Sequence, residues 1–281
     1  SEELRRTNER DRQAIARMKD EGEFLDTVAH SCHQYERERL TDPPPVVIGQ
    51  EFLATVRRVE QIAFECRDVS PGTASKDCLG VVVVRAPPRH GKSLLLDMIF
   101  TGDGGHKRTV VVPITFNSTT KLVQDDIDPT DRDAACWHIV VRVLKVLWNF
   151  TAQVTESLIS VCKGRFRVPG NAWEWLMSSS HFQGAARVVL AIDELSNLTQ
   201  LLTLDQALQL NNTLDAWMTL GDRRAIACVA TTFTTNEKSG FSVMPRTQIS
   251  GIVKETLTVG WIPENEGRPL LAAVLYIYVT H

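Results

Sequence analysis

One short run of residues, 86–93, has the composition of a phosphate-binding loop. Its sequence, Ala-Pro-Pro-Arg-His-Gly-Lys-Ser, follows the pattern Gly-x-x-x-x-Gly-Lys-Ser/Thr, except that alanine replaces the first glycine. In this pattern a loop between a strand and a helix turns its backbone N–H groups toward phosphate oxygens, and the helix dipole strengthens the attraction. Lys92 is predicted to reach the β and γ phosphates, and the Ser93 hydroxyl to provide one ligand to Mg²⁺.

The two prolines of this run limit which residues can donate hydrogen bonds. Pro87 and Pro88 have no backbone N–H, so the donors are expected from Arg89 through Leu94. Because alanine stands where the pattern has its first glycine, the sequence does not specify how tight the turn is. The residues predicted to line the phosphate site are Ala86, Pro87, Pro88, Arg89, His90, Gly91, Lys92, Ser93 and Leu94.

A second element supplies the carboxylates that such a site needs. Five apolar residues, 188–192, are followed directly by Asp193 and Glu194. Mg²⁺ needs an acidic neighbour besides one hydroxyl, and ligands of open α/β sheets bind at the carboxyl ends of the strands. Asp193 is therefore predicted to hold the water shell of the metal, and Glu194 to polarise the water that attacks the γ phosphate.

Alternating strand and helix patterns surround these residues. Continuous apolar runs predict buried strands, and each is separated from the next by a sequence of helical character. This alternation indicates a parallel sheet covered by helices on both faces. The predicted strands are 81–85, 109–116, 188–192, 225–230 and 256–261, and the predicted helices are 92–100, 134–150, 153–162 and 204–220.

The first 45 residues differ in composition from the rest. Residues 1–40 carry eight Lys or Arg and ten Asp or Glu residues, with a narrow apolar stripe at helical spacing. Three prolines at 43–45 then end helical structure. We therefore predict a charged helical arm over 1–45, which either docks a partner or packs on the main domain, and an α/β domain over 46–281. Because the chain stops soon after the apolar run 270–279, truncation of that domain is left open.

The overall composition excludes several classes of protein. The 281 residues are 43% hydrophobic and 23% charged, with a formal net charge of −3, which fits neither a disordered chain nor a protein whose whole surface binds nucleic acid. The six cysteines form no Cys-x-x-Cys pair, so we interpret them as reduced thiols of an intracellular protein. The most apolar stretches, 135–150 and 270–279, are too interrupted or too short for a transmembrane helix, so no membrane partner is expected.

The two motifs together resemble those of a known group. Residues 86–96 and the pair Asp193-Glu194 resemble the Walker A and Walker B motifs of P-loop ATPases with an additional catalytic glutamate, the AAA and STAND branch. Residues 87–96 are similar to the loop in the AAA-ATPase-like domains of Crinkler effectors and retrotransposon hot spot proteins. The resemblance covers roughly residues 46–262. It implies a three-layer α/β P-loop NTPase fold with the strand order 5-1-4-3-2, and ATP and Mg²⁺ as ligands.

Two weaker matches extend the resemblance. Residues 47–52, with Ile48 and Gly49, resemble the segment that packs near adenine in STAND proteins, although Gln50 stands where that family has arginine. Residues 225–232 resemble the fourth core strand, whose terminal polar residue senses the γ phosphate. The resemblance implies Thr232, or its neighbour Thr231, in that role, with Asn236 as an alternative.

Basic residues give no further specific signal. A phosphoryl-transfer site usually needs an arginine, and the candidates near the fourth strand are Arg223, Arg224 and Arg246. The cluster 163–167, Lys-Gly-Arg-Phe-Arg, interleaves basic and aromatic residues. This pattern gives weak support to a contact with nucleic acid, which is kept as an alternative.

The sequence therefore predicts a P-loop ATPase that binds Mg-ATP and hydrolyses it in a reaction coupled to conformational change. The alternative is an ATP-dependent switch or effector module with negligible turnover, which acts through an unknown protein partner. Glu194 favours the ATPase, whereas the lack of a placed arginine favours the switch. A GTPase is disfavoured because the chain has no Asn-Lys-x-Asp motif, and a small-molecule kinase would need an arginine-bearing lid that the sequence does not indicate.

Overall fold

The computed structural model describes residues 40, 50–64, 81–86, 91–101, 109–117, 122–148, 155–219, 225–233, 253–259 and 273–279. The helices and strands are α1 (Gln50–Phe64), β1 (Val81–Ala86), α2 (Lys92–Met98), β2 (Thr109–Thr115), α3 (Ala134–Trp148), α4 (Thr155–Phe166), α5 (Pro169–Ser178), β3 (Arg187–Asp193), α6 (Leu195–Thr199), α7 (Leu204–Thr219), β4 (Ala225–Phe233), β5 (Val253–Val259) and β6 (Ala273–Val279).

The strands form one sheet in the order β2-β3-β4-β1-β6-β5. The pairs β1–β4, β4–β3 and β3–β2 are all parallel, which confirms the predicted order 1-4-3-2 for this part of the sheet. Only β4 lies between β1 and β3. Because parallel strands end at the same edge of a sheet, the carboxyl ends of β1 and β3 lie at one edge with the end of β4 between them.

The other side of β1 differs from the prediction. The predicted order 5-1-4-3-2 places a parallel fifth strand next to β1, but the structure has β6 there, antiparallel to β1, and β5 pairs antiparallel with β6. β5 also covers Val253–Val259 rather than 256–261. The two runs follow one another closely in the sequence, and an antiparallel pair needs no crossover helix between its strands.

The parallel strands are buried on both faces. On β1, Val81 and Val83 belong to the hydrophobic core that includes residues of α3, α4, α5 and α7, whereas Val82 and Val84 belong to the core that includes residues of α1 and α2. This arrangement explains why the strand sequences are continuously apolar, because alternate residues point into two different cores. Pro113 lies within β2, which is at the edge of the sheet, where a missing ladder donor is tolerated.

The predicted helices correspond to α2, α3, α4 and α7 with shifted ends, whereas α1, α5 and α6 were not predicted. The charged arm predicted for 1–45 lies outside the described residues except for Leu40, whose backbone N–H donates to Asp97 Oδ1 in α2 (2.8 Å). In the described part of the chain, no helix is both long and apolar enough to cross a lipid bilayer.

Candidate functional site

The start of α2 requires a glycine. Gly91 precedes the helix with φ 73° and ψ 16°, in the left-handed region, and its carbonyl accepts the first helical bond from Leu95 N (2.8 Å). A Cβ at this position would lie 3.1 Å from Cε2 of Phe52 in α1. The predicted strand that precedes residue 87 and the predicted helix that begins at Lys92 are therefore present, with Phe52 of α1 next to Gly91. Residues 87–90, between them, lie outside the described residues.

The Lys92 side chain is buried at the sheet edge, with 6% of its surface exposed. Burial lowers the pKa of its ammonium group, and the negative charges of Glu194 and Asp193 oppose this decrease. The predicted phosphate-binding lysine thus lies within the electrostatic influence of both predicted carboxylates.

Ser93 and Asp193 are in direct contact. The Ser93 Oγ donates a hydrogen bond to Asp193 Oδ2 over 2.9 Å, and the Thr231 hydroxyl donates to Asp193 Oδ1 over 2.8 Å. Asp193 is 3% exposed, so both carboxylate oxygens are satisfied by hydroxyl groups in a nearly closed environment. The structure therefore brings together the predicted metal-binding residues from α2 and β3.

Of the two candidate threonines at the end of β4, Thr231 joins this network. Its hydroxyl also accepts a hydrogen bond from the Glu194 backbone N–H (2.9 Å), so that it links Asp193 to Glu194. Thr232 is buried as well, but its hydroxyl has no hydrogen-bond partner among the described residues. Side chains alternate along β4, so Thr232 faces the side of the sheet opposite to Asp193 and Thr231.

Glu194 occupies a special backbone conformation. It precedes α6 with φ 55° and ψ 48°, a left-handed conformation that is unfavourable for a residue with a Cβ. Its side chain is buried, and this burial together with the charge of Asp193 raises the pKa of its carboxyl group, while Lys92 and a hydrogen bond from Asn197 counteract the increase. An observed outlier of this kind is typical of functional sites.

Asn197 is a member of the site that the sequence analysis did not identify. Its Nδ2 lies 3.0 Å from Glu194 Oε2 and 3.2 Å from the Phe116 carbonyl oxygen, just after β2. The only signal in the sequence is the spacing of three residues from Glu194, which places the two side chains on the same side of a helical turn.

The donor set of the site fits Mg²⁺ bound together with a phosphate. Among the described residues, no group of three or more His, Cys, Asp or Glu residues could form a metal cage made by the protein alone. Mg²⁺ does not require one, since it is commonly held by one or two protein oxygens, waters and substrate phosphates. The Ser93 hydroxyl and the Asp193 carboxylate, joined at 2.9 Å, provide oxygen ligands of the required kind.

Of the other predicted site residues, two lie within the described part of the chain. Ala86 ends β1, and Leu94 is buried in the core between α2 and the sheet. The remaining candidates lie outside the described residues: Ile48, Gly49, Pro87, Pro88, Arg89, His90, Arg223, Arg224, Asn236 and Arg246.

The basic and aromatic cluster 163–167 has structural contacts. Lys163 forms an ion pair with Asp131 (2.5 Å), and the ring of Phe166 packs against Trp175 with a centroid distance of 5.5 Å. Arg165 and Arg167 are exposed. The contacts of Lys163 and Phe166 account for these two residues without a ligand.

No family model, no curated protein and no solved structure matches this chain.

Proposed function

We propose that the chain is a P-loop ATPase that binds Mg-ATP and hydrolyses its γ phosphate. The observation that carries the proposal is the convergence of a buried lysine, a serine hydroxyl and two carboxylates at the edge where β1 and β3 end. The Ser93–Asp193 hydrogen bond joins the two motifs directly. The same residues support the resemblance to the AAA and STAND branch, with the 1-4-3-2 order of the parallel strands as an additional argument.

Each residue has a role that follows from its surroundings. The Lys92 ammonium, held beside two carboxylates, would neutralise the negative charge of the β and γ phosphates. Ser93 and Asp193 would hold Mg²⁺, which supplies charge compensation to the phosphates when it is bound. Thr231 fixes the carboxylate of Asp193 and the backbone of Glu194 at the same time.

Glu194 is proposed as the general base. A base must be basic enough to accept a proton from water near neutral pH, and burial and Asp193 raise the pKa of this carboxyl group in that direction. Its position directly after Asp193 places the base beside the metal-binding residues. The water that attacks the γ phosphate would transfer its proton to the Glu194 carboxylate as its oxygen bonds to phosphorus, while the bond from that phosphorus to the oxygen bridging to the β phosphate breaks and ADP leaves.

The proposal is tested by calorimetric titration of the chain with ATP and GTP, with and without Mg²⁺, and by release of inorganic phosphate. We expect Mg-dependent binding of ATP and multiple turnovers. Tight ATP binding without turnover would instead support the switch or effector module that acts through a protein partner. No binding of either nucleotide would refute the proposal.

A further inference from the structure

The side-chain amide of Asn197 connects Glu194 to the end of β2. Its Nδ2 is close to two atoms, Glu194 Oε2 at 3.0 Å and Phe116 O at 3.2 Å. When Glu194 is ionised, both of these oxygen atoms are acceptors and neither is a donor. The amide nitrogen of Asn197 must therefore face them and donate one hydrogen to each. Both hydrogens of the Asn197 amide are therefore used in hydrogen bonds, which hold the side chain in place.

The carbonyl group that anchors this amide is itself firmly held. The ring of Phe116 is fully buried and lies below the guanidinium of Arg142, 4.3 Å from its centroid. Arg142 Nη1 also donates to the Thr115 carbonyl (2.8 Å), and Phe116 N donates to Asp193 O (3.1 Å). The anchor therefore lies at the end of β2 and is attached to the strand that carries Asp193.

On the premise of the proposed function, we propose that Asn197 is a positioning residue that holds Oε2 of Glu194 and thereby directs Oε1 toward the attacking water. The backbone of Glu194 is already fixed by its N–H bond to Thr231. What remains free is rotation of the carboxylate, and Asn197 restricts it. Among the described residues no hydrogen bond is made to Oε1, so this oxygen is available to act as the base.

A misplaced base impairs the chemical step more than substrate binding. We expect Asn197→Ala to lower kcat about tenfold or more, because displacement of a catalytic group by about 1 Å can have rate effects of this order or larger, while KM for Mg-ATP changes by less than about twofold. In a Glu194→Gln background the same substitution should have no further effect on single-turnover rates, because Asn197 acts through the Glu194 carboxylate.

A matched control is Asn171→Ala. Asn171 Nδ2 also donates to a backbone carbonyl, that of Phe166 at 3.2 Å, but it lies in α5 rather than at the site. This variant should retain the wild-type kcat. An unchanged kcat in Asn197→Ala, or a full additional loss in the Glu194→Gln background, would overturn the role of Asn197.

Urea unfolding of the nucleotide-free protein gives a readout that does not depend on turnover. Asn197→Ala should lower the unfolding midpoint of the wild type more than that of Glu194→Ala, because the partner of the amide is absent in the second case. Equal losses in both backgrounds would overturn the inference. If the wild-type protein had no turnover, the proposed function would be refuted. The comparison of unfolding midpoints would still decide whether Asn197 holds Glu194.

Discussion

The hydroxyl of Ser93 donates a hydrogen bond to Asp193 Oδ2 over 2.9 Å, although the two residues are 100 positions apart in the chain. The contact crosses the end of β4, whose Thr231 hydroxyl donates to the other carboxylate oxygen. One carboxylate therefore ties together the helix after β1 and the ends of β3 and β4.

Substitution of Lys92 by alanine should weaken Mg-ATP binding by about 10²-fold or more, because it removes charge-assisted hydrogen bonds to two phosphates. The fold should persist, since the cost of burying an ammonium group disappears together with its attraction to the carboxylates. Calorimetric titration measures the affinity, and thermal unfolding checks the fold. Lys163→Ala is the control, because Lys163 lies in α4 and forms its ion pair with Asp131 instead of with a carboxylate of the site. Wild-type affinity in the Lys92 variant would refute the phosphate-binding role of the loop.

Replacement of Glu194 by glutamine should retain Mg-ATP binding and lower turnover by about 10²-fold or more, the usual contribution of a general base. Glutamine keeps the size of the side chain and an acceptor for Asn197 but removes its basicity. Single-turnover phosphate release is the appropriate measurement. If the variant turned over ATP at the wild-type rate, Glu194 would have no role as a base.

Asp193→Asn should have a different effect from the Glu194 substitution. It removes a charge beside the predicted metal position, so we expect the affinity for ATP to become less dependent on Mg²⁺ concentration. Titrations with ATP at several Mg²⁺ concentrations measure this dependence. A dependence identical to that of the wild type would show that Asp193 does not hold the metal.

The left-handed backbone of Glu194 predicts a difference between two truncating substitutions. Glu194→Gly and Glu194→Ala both remove the carboxylate, but only glycine adopts φ 55° without a steric penalty. The glycine variant should therefore have a free energy of unfolding about 1 kcal/mol higher than the alanine variant. Chemical denaturation of the nucleotide-free proteins measures the difference. A more stable alanine variant would indicate that the backbone at this position relaxes.

Lys145 in α3 predicts a pH dependence of stability away from the site. Burial, and to a lesser degree Arg142, lowers the pKa of its ammonium group from 10.5 to about 8. Between pH 8 and 10.5 the unfolded chain therefore holds a proton that the folded chain has released, so this group makes stability rise with pH across that interval. Lys145→Met removes the effect.

The stability gain of Lys145→Met over the wild type should accordingly be largest below pH 8 and shrink toward pH 10.5. Denaturant unfolding of both proteins at pH 7, 9 and 10.5 measures it, and the contributions of other groups largely cancel in the difference. A gain that stayed constant with pH would show that Lys145 remains charged in the folded protein throughout this interval.

Local sequence was sufficient for the four parallel strands and for the helices α2, α3, α4 and α7. Continuous runs of Val, Ile and Leu predicted β1, β2, β3 and β4, because strands buried on both faces cannot alternate in polarity. The glycine before Lys92 marked the start of α2, since few other residues tolerate its left-handed conformation. The antiparallel β6 was not predicted, because the direction of pairing depends on which strand edge is available and not on local composition.

The sequence by itself determined which side chains can perform the proposed chemistry: Lys92 and Ser93 after one strand, Asp193 and Glu194 after another. Only the tertiary structure decided which further groups join them. Neighbouring residues of a strand face opposite sides of the sheet, so the parallel register of β3 and β4 selected Thr231 over Thr232 as the partner of Asp193. Asn197 became part of the site because the end of β2 offers it a carbonyl acceptor, a contact between residues 81 positions apart that no local pattern encodes.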